Sequence, residues 1–465
     1  MSIKFRLTLM SFLQFFVWGA WLITIATYFF GNNMGTGVQF GAIFSTLALS
    51  SLFMPALTGI IADRWMNAEK LYGLLHILYG AILFYVPYVK DADTLYYVIF
   101  AAMICYMPTI SLSNSIAYTI LKNNHFDVVK VFPPIRVWGT IGFIAAMWIT
   151  NLSGSKANAN QFIIAGVLAI ALGIYSFTLP KCPPQKSISK EAPLIEQLGL
   201  SAFKLFKKYK MALFFLFSMA LGAALQLTNM YGDTFLDDFK KTPAYGPDSF
   251  VVKYSTVILS ISQMAETVFI LTIPFFLKHF GIKKVMLFSM LAWVLRFGLF
   301  SYGDPSTGLW MIILSCIVYG MAFDFFNISG SLFVETNTDS KIRSSAQGLF
   351  MMMTNGIGAF IGSKVSGFMI DKYYTLKFTD VNGLLEYLKS DINNAGVQET
   401  LKYNEVLAGG VLKSPIFIRQ WSSIWLAFAI YALIIAVLFA IFFRHKHDPN
   451  AIGDNIHPEA LLPVE

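Results

Sequence analysis

The sequence predicts an all-α protein that crosses a membrane many times, in twelve helices arranged as two bundles of six. Hydrophobic residues make up 56% of the 465 residues, and charged residues only 13%. Soluble domains carry about 25% charged residues. The mean hydropathy is +0.61, and the apolar residues fall in long runs between short polar loops. Runs of this length suit helices that span the hydrocarbon core of a bilayer.

A polar linker divides twelve apolar segments into two groups of six. The first group covers residues 7–30, 38–62, 70–89, 94–121, 133–152 and 161–180. The second group covers residues 211–236, 254–277, 284–302, 307–336, 345–371 and 419–443. We therefore predict four regions, which are an N-terminal bundle (1–180), a basic amphipathic linker (181–210), a C-terminal bundle (211–443) and a tail (444–465).

The C-terminal bundle contains one long polar insertion, residues 372–418, between its last two segments. Within it, the stretch GLLEYLKSDI is amphipathic enough for a short surface helix. We predict an elaborated external loop here, and the alternative is a binding or gating role.

Lysine and arginine residues concentrate on the side of the segments that carries both termini and the linker. The positive-inside rule makes this side cytoplasmic. The net charge of +8 therefore indicates topology rather than a nucleic-acid surface. We predict a multi-pass protein of the cell membrane with both termini in the cytoplasm. Its surroundings are the lipid bilayer, and no nucleic acid or obligate protein partner is expected.

The sequence gives no pattern typical of an enzyme. It contains no P-loop, no nucleophile–base pair and no metal-ligand spacing. The three cysteines, Cys105, Cys182 and Cys316, are an odd number without paired spacing, so neither a disulfide framework nor a metal site is predicted.

Two acidic residues lie deep inside apolar segments. Glu266 is near the middle of YSTVILSISQMAETVFILTIPFFLK, and Asp324 is near the middle of LWMIILSCIVYGMAFDFFNISGSLFV. A charged side chain at bilayer depth costs roughly 2.5–3.5 kcal/mol on insertion scales and marks proton or ion pathways. We therefore predict a transporter that handles protons, with Glu266 and Asp324 as the proton-coupling groups.

Further polar and aromatic residues lie at matching helical positions. Residues three, four and seven apart share one face of a helix. The predicted site residues are Arg136, Thr140 and Phe143 on segment five, Gln226 and Asn229 on segment seven, Gln263 and Glu266 on segment eight, and Tyr319, Phe323 and Asp324 on segment ten. The groups on segments seven, eight and ten lie near the bilayer midplane, where transporters bind substrate between their halves.

Twelve segments split six and six are the outline of the major facilitator superfamily. The stretch GIIADRWMNAEK between segments two and three resembles the signature motif of that superfamily through Gly59, Asp63, Arg64 and Lys70. The resemblance implies that Gly59, Asp63 and Arg64 form a latch between the two halves, which affects the balance between conformations.

Several longer runs resemble the nucleoside:proton symporter family within this superfamily. They are SFLQFFVWGAWL, FMPALTGIIADRW, FPPIRVWGTIGFI, LQLTNMYGDTFL, SISQMAETVFILTIPFFL, VYGMAFDFFNISGSLFVE and SSAQGLFMMMTNGIGAF. The resemblance implies alternating access, uptake of both purine and pyrimidine nucleosides across the inner membrane, and the proton gradient as driving force without a cofactor. It also implies substrate contacts for all ten predicted site residues. The long insertion and the tail depart from the family pattern.

The chemistry of these side chains suits a nucleoside, although other interpretations stay open. Aromatic rings stack on bases at roughly 1–3 kcal/mol each, and amides and carboxylates hydrogen-bond ribose hydroxyls. The alternatives are a xanthosine-selective transporter, a sugar or polyol symporter, or a nutrient sensor that does not transport.

Single residues also have purely structural alternatives. Arg136 could extend to the interface, and the amides could join helices by hydrogen bonds. Arg296 and Lys364, two further cations within apolar segments, are predicted to extend outward. Which carboxylate carries the proton stays open.

Overall fold

The computed structural model describes residues 2–184, 200–339, 342–402 and 404–445. Within these ranges the predicted all-α polytopic class is confirmed, and each predicted segment corresponds to one helix or one broken helix. Eight helices are long and apolar enough to cross a membrane, and one shorter apolar helix accompanies them. Most of the predicted linker and tail, at 185–199 and 446–465, lies outside the described residues.

Six membrane helices form the first half. Their bounds are Ile3–Gly19 continued by Ile25–Gly31 (α1), Gly37–Arg64 (α2), Ala68–Leu83 (α3), Ala92–Asn123 (α4), Val128–Leu152 (α5) and Asn160–Ser176 (α6). The break in α1 was not predicted. Polar side chains hold it, because Trp21 Nε1 donates to the Tyr79 hydroxyl at 2.6 Å and Thr24 Oγ1 donates to Gln161 Oε1 at 2.7 Å.

The second half also has six membrane helices. Their bounds are Tyr209–Asp238 (α7), Ile261–Tyr302 (α8 and α9 together), Leu309–Asn337 (α10), Arg343–Met351 and Ala359–Tyr373 joined by a π-helical turn at Met352–Gly358 (α11), and Trp421–Phe442 (α12). Two short helices, Phe250–Lys253 and Ser255–Leu259, precede α8. The boundary between α8 and α9 is Gly281, whose φ of 74° is readily adopted only without a side chain.

The two ends of the helices define two faces of the molecule. α1 begins and α12 ends on one face, which we call the terminal face, and α2 also ends there at Arg64. The opposite face, the loop face, carries the connection between α11 and α12. The first and last helices meet other parts of the chain on the terminal face, since the Arg6 side chain donates to the Thr178 carbonyl and Lys210 contacts His445 at 2.8 Å.

The connection between α11 and α12 is a small subdomain with its own apolar core, which we call the loop subdomain (375–419). Its strands Thr375–Asp380 (β1) and Val411–Arg419 (β2) pair antiparallel, and the helices Val381–Leu388 and Ala395–Leu401 lie between them. The predicted short helix is confirmed as Val381–Leu388, whereas the sheet was not predicted. Its buried core residues are Val381, Leu384, Val397, Leu401, Leu412 and Ile416.

The two halves approach closely along α2 and α11 near the loop face. A Cβ atom at Gly41 would lie 2.5 Å from the Ser363 carbonyl oxygen, and one at Gly367 would lie 2.4 Å from the Gly37 carbonyl oxygen. Toward the terminal face the same two helices separate, because a Cβ atom at Gly59 or Gly348 would have no neighbour within 4 Å. The interface is therefore closed at one end and open at the other.

Candidate functional site

A cavity of about 720 Å³ lies between the two halves and reaches the open ends of α2 and α11. This volume falls within the range of about 300–1,000 Å³ that is typical of small-molecule sites. Both halves contribute to its lining, from α1, α2, α4 and α5 on one side and from α7, α8, α10 and α11 on the other.

Nine of the ten predicted site residues line this cavity. They are Arg136, Thr140, Phe143, Gln226, Asn229, Gln263, Glu266, Tyr319 and Phe323. The exception is Asp324, which is fully buried and does not appear among the lining residues. The faces predicted from helical spacing on four helices therefore lie along the cavity, and the Asp324 side chain lies outside it.

The aromatic residues form two walls that face each other across the halves. Tyr319 and Phe323 stack nearly parallel, with ring centroids 5.7 Å apart and planes 7° apart. On the other side, Trp18 meets Phe143 edge-on at 6.0 Å. Flat rings in these arrangements offer apolar faces against which a planar, unsaturated ligand can pack.

Arg136 and Glu266 are the charged residues among those that line the cavity. The Arg136 guanidinium lies 4.0 Å from the centroid of the Phe15 ring. This contact places the cation beside an aromatic ring of the cavity lining, which does not support the alternative in which Arg136 extends to the interface. One cation and one carboxylate on opposite halves can orient a polar ligand between them.

Two buried polar atoms of the lining have no hydrogen-bond partner among the described residues. They are Gln263 Oε1 and Trp18 Nε1, an acceptor on one half and a donor on the other. An unpaired buried polar group costs about 1–3 kcal/mol, so such atoms indicate a ligand. The side chains of Gln226 and Asn229 make no hydrogen bond to another helix in the described chain, which does not support the helix-joining alternative.

The two carboxylates occupy different surroundings. Glu266 is half-buried and lines the cavity, whereas the exposed fraction of Asp324 is 0%. Gly320, one helical turn before Asp324, lies directly against α8, since a Cβ atom there would be 2.6 Å from the Ala265 carbonyl oxygen. Residues four apart share one helix face. Asp324 therefore faces the contact between α10 and α8, behind the cavity wall.

Some lining residues were not predicted. Asn355 lies in the π-helical turn of α11 and borders both the main cavity and a smaller one behind Phe323. Gln347 also lines the main cavity, and it is paired with Ser331 through its amide nitrogen at 2.8 Å to the carbonyl. π-Helical turns recur at functional sites, but the sequence of this turn gives no periodic signal that would have revealed it.

The predicted latch lies at the open end of the interface. Asp63 and Arg64 are exposed at the end of α2, and Gly59 stands clear of neighbouring elements. A latch between the halves would therefore close only in a conformation in which the terminal face is shut. Its role stays a prediction.

At the loop face the halves are joined by a group of polar contacts, which we call the seal. Lys156 Nζ contacts Asp237 Oδ1 at 2.9 Å and donates to the Val252 carbonyl at 2.6 Å. Thr27 Oγ1 donates to Asp233 Oδ2 at 2.5 Å. Further contacts of the seal are Asn151 with Lys253 and Thr256, Trp148 with Ser260, Lys156 with Ser255, and Thr27 with Thr234.

The loop subdomain is attached directly beside the seal. Its residue Arg419 contacts Asp238 Oδ2 at 3.2 Å and lies 3.7 Å from the centroid of the Phe30 ring of α1. Its residue Glu399 lies 3.7 Å from Lys240 Nζ, which also pairs with Asp237 at 2.8 Å. The subdomain therefore bridges the first half and α7.

Comparison of the sequence with a family profile and with known proteins points to one family. A profile described as nucleoside H+ symporter matches residues 1–448. A xanthosine permease of Escherichia coli (strain K12) is 47% identical over 453 residues, which are 97% of this chain and 98% of that protein. The nucleoside permease NupG of the same organism is 43% identical over 448 residues, which are 96% of this chain and 97% of that protein.

A solved structure agrees with the sequence relatives. The crystal structure of the nucleoside transporter NupG matches with a TM-score of 0.82 and 43% sequence identity. The match covers 96% of this chain and 100% of the other. The arrangement of helices around the cavity is therefore similar to that of a known transporter.

Proposed function

The chain belongs to the nucleoside H+ symporter family, and on that premise we propose that its cavity binds a nucleoside and carries it across the membrane together with a proton. The protein is a transporter rather than an enzyme, as its relatives are. The observation that carries the proposal is the cavity itself, where aromatic walls and unpaired polar atoms lie together between the two halves.

The parts of a nucleoside match the parts of the cavity. The base is flat and stacks on aromatic rings, as Tyr319, Phe323 and Phe143 provide them. The ribose hydroxyls both donate and accept hydrogen bonds, which suits Gln263 and Glu266 on neighbouring turns of α8. In this assignment the base lies toward α10 and the ribose toward α8.

The two carboxylates then have separate roles. Glu266 lines the cavity and contacts the ribose, while Asp324 lies behind the wall and holds the transported proton. Charged side chains at membrane depth are costly and recur in proton pathways, and Asp324 is the one of the two carboxylates that is fully buried. Binding of proton and nucleoside on the two sides of the α8–α10 contact favours closure of the halves around both.

We propose that the terminal face is cytoplasmic and that the membrane is the inner membrane, because Lys and Arg residues are concentrated on that side. The conformation then has its cavity open to the cytoplasm and its seal closed to the outside. The proton gradient is the driving force, with no cofactor, and the lipid bilayer is the only other component required.

Uptake into proteoliposomes with an imposed pH difference tests this proposal. Radiolabelled uridine, adenosine and xanthosine are each offered with the vesicle interior more alkaline, and again with a protonophore. We expect accumulation above equilibrium that the protonophore abolishes. Binding without uptake would instead indicate a sensor, and uptake insensitive to the protonophore would refute proton coupling.

Substrate preference is measured in the same experiment. The similarity to a xanthosine permease and to a nucleoside permease is of comparable degree, so both a narrow and a broad preference are consistent with the family. Competition by unlabelled nucleosides and by a disaccharide ranks the candidates. We expect nucleosides of both base classes to compete, and the disaccharide not to compete.

A further inference from the structure

Arg296 of α9 is a charged residue enclosed within the second half. Its exposed fraction is 1%, so the prediction that it extends outward is wrong. By contrast, Lys364 is exposed as predicted. Within the described chain no carboxylate lies within ion-pair distance of the Arg296 guanidinium, and its Nε has no hydrogen-bond partner. A buried charge at this depth is expensive, and such residues are retained for function.

The shortest polar contact of Arg296 is with α10, and its Nη1 also lies 3.5 Å from Ser262 Oγ of α8. Its Nη1 donates to the Ser315 carbonyl at 2.6 Å, and Ser315 Oγ donates to the Arg296 carbonyl at 3.0 Å. This reciprocal pair fixes α9 against α10 one helical turn before Tyr319. The guanidinium carbon then lies 4.6 Å from the centroid of the Tyr319 ring and 5.0 Å from that of Phe300.

In addition to Arg296, two aromatic side chains contact the Tyr319 ring. Trp293 meets its ring edge-on, with centroids 5.8 Å apart and planes at 89°, and Phe323 stacks parallel to it. A guanidinium within about 6 Å of a ring centroid is attracted by the negative face of the ring, most strongly when it is desolvated. Arg296 therefore adds a cation–π contact to the aromatic contacts that already hold the Tyr319 ring.

We propose that Arg296 is a positioning residue for nucleoside binding, which acts by fixing the Tyr319 ring as the platform on which the base stacks. It does not touch the ligand, because it does not line the cavity. The inference rests on the proposed function and deepens it. It predicts that loss of Arg296 weakens nucleoside binding only as long as Tyr319 is present.

A double-mutant cycle tests this dependence. The dissociation constants of uridine and adenosine are measured by calorimetry on the purified wild type and on Arg296→Met, Tyr319→Leu and the double variant. We expect Arg296→Met to raise the dissociation constant about tenfold, as the loss of one desolvated cation–π contact would. In the Tyr319→Leu background the same change should have an effect of less than about twofold.

Control variants separate this role from a general effect on folding. Lys364→Met also removes an intramembrane cation that contacts an aromatic ring, since Lys364 Nζ lies 4.8 Å from the Phe360 centroid, and it should leave binding unchanged. Arg296→Lys keeps the charge but loses the planar group, so we expect an intermediate dissociation constant. If Arg296→Met does not fold, Arg296→Lys replaces it in the cycle. Its dissociation constant is then compared with that of the variant that combines Arg296→Lys with Tyr319→Leu.

Two results would overturn the inference. Equal weakening with and without Tyr319 would show that Arg296 acts elsewhere, and unchanged affinity with lost proton-driven uptake would assign it to coupling instead. Failure of the wild type to bind any nucleoside would overturn the proposed function itself, which is a different outcome.

Discussion

The interface between the two halves has two regions that differ in how their polar groups are satisfied. In the cavity, Gln263 Oε1 and Trp18 Nε1 have no hydrogen-bond partner among the residues that the structure describes. In the seal, Asp233 is bonded to Thr27 and Ser255, and Asp237 is paired with Lys156 and Lys240. The same helices, α1, α5 and α7, contribute to both regions. The unpaired polar atoms of the cavity can bind a ligand, whereas the paired groups of the seal hold the two halves together. We therefore assign ligand binding to cavity residues and closure of the loop face to seal residues.

The largest expected effect concerns the proton. Asp324→Asn keeps the shape of the side chain but cannot release a proton, so we expect uphill uridine accumulation to fall at least about 100-fold, while exchange of labelled for unlabelled uridine continues. Both are measured in proteoliposomes with and without a pH difference. Asp93→Asn, at an exposed carboxylate, is the control. If Glu266→Gln lost accumulation and Asp324→Asn did not, the two roles would be reversed.

A second prediction addresses the unpaired acceptor of the cavity. Gln263→Leu removes a hydrogen bond to the ligand that is worth roughly 1–1.5 kcal/mol, so the dissociation constant should rise about tenfold. Equilibrium binding to the purified protein checks this. The control Gln398→Leu changes an exposed amide of the loop subdomain. An unchanged constant in Gln263→Leu would mean that the ligand does not reach this part of α8.

A third prediction addresses the seal. Lys156→Met removes a contact between the halves but leaves Asp237 paired with Lys240, so we expect a shift of about fivefold toward the conformation open at the loop face. A cysteine introduced at Thr234, which is buried beside Thr27, reports the shift by faster reaction with an impermeant maleimide. The intrinsic affinity for nucleoside should stay the same, in contrast to Gln263→Leu.

The chain suits this measurement because its native thiols react poorly. Cys105, Cys182 and Cys316 are all buried, and burial raises the pKa of the Cys182 thiol to about 12. Since the thiolate is the reactive form, background labelling should be low. Lys253→Met is the control, because the seal uses the backbone carbonyl of Lys253 and not its exposed side chain, and equal labelling of both variants would contradict a role for Lys156 in closure.

The smallest effect is expected at the loop subdomain. Glu399 lies 3.7 Å from Lys240 Nζ, and Lys240 keeps its shorter ion pair with Asp237, at 2.8 Å, when this contact is lost. Glu399→Gln should therefore change uptake and Thr234 labelling by less than about twofold. Arg419→Gln, which also loses the contact with Phe30, should change labelling more. A larger effect of Glu399→Gln would mean that the subdomain controls the seal.

The cavity could be predicted from the sequence, and the seal could not. Arg136, Thr140 and Phe143 follow helical spacing, which selects one face without knowledge of the partner helix. Seal contacts such as Lys156 with Asp237 join residues far apart in the chain that lie at helix ends, where charged residues are ordinary. Asp324 adjoins Phe323 but lies outside the cavity lining, and spacing alone does not decide which of two neighbours faces inward. Arg296 was predicted to extend outward because a lone arginine in a membrane helix usually places its charged group at the interface.

The loop subdomain also provides a way to trap one conformation of the transport cycle. Arg419 belongs to the second half and contacts Phe30 of the first half. This contact must therefore break whenever the loop face opens. The combined surface around Arg419 and Phe30 therefore exists only in the conformation in which the seal is closed. A nanobody raised against the joined surface would trap the transporter with its seal closed, and would inhibit uptake from the loop face without entering the cavity.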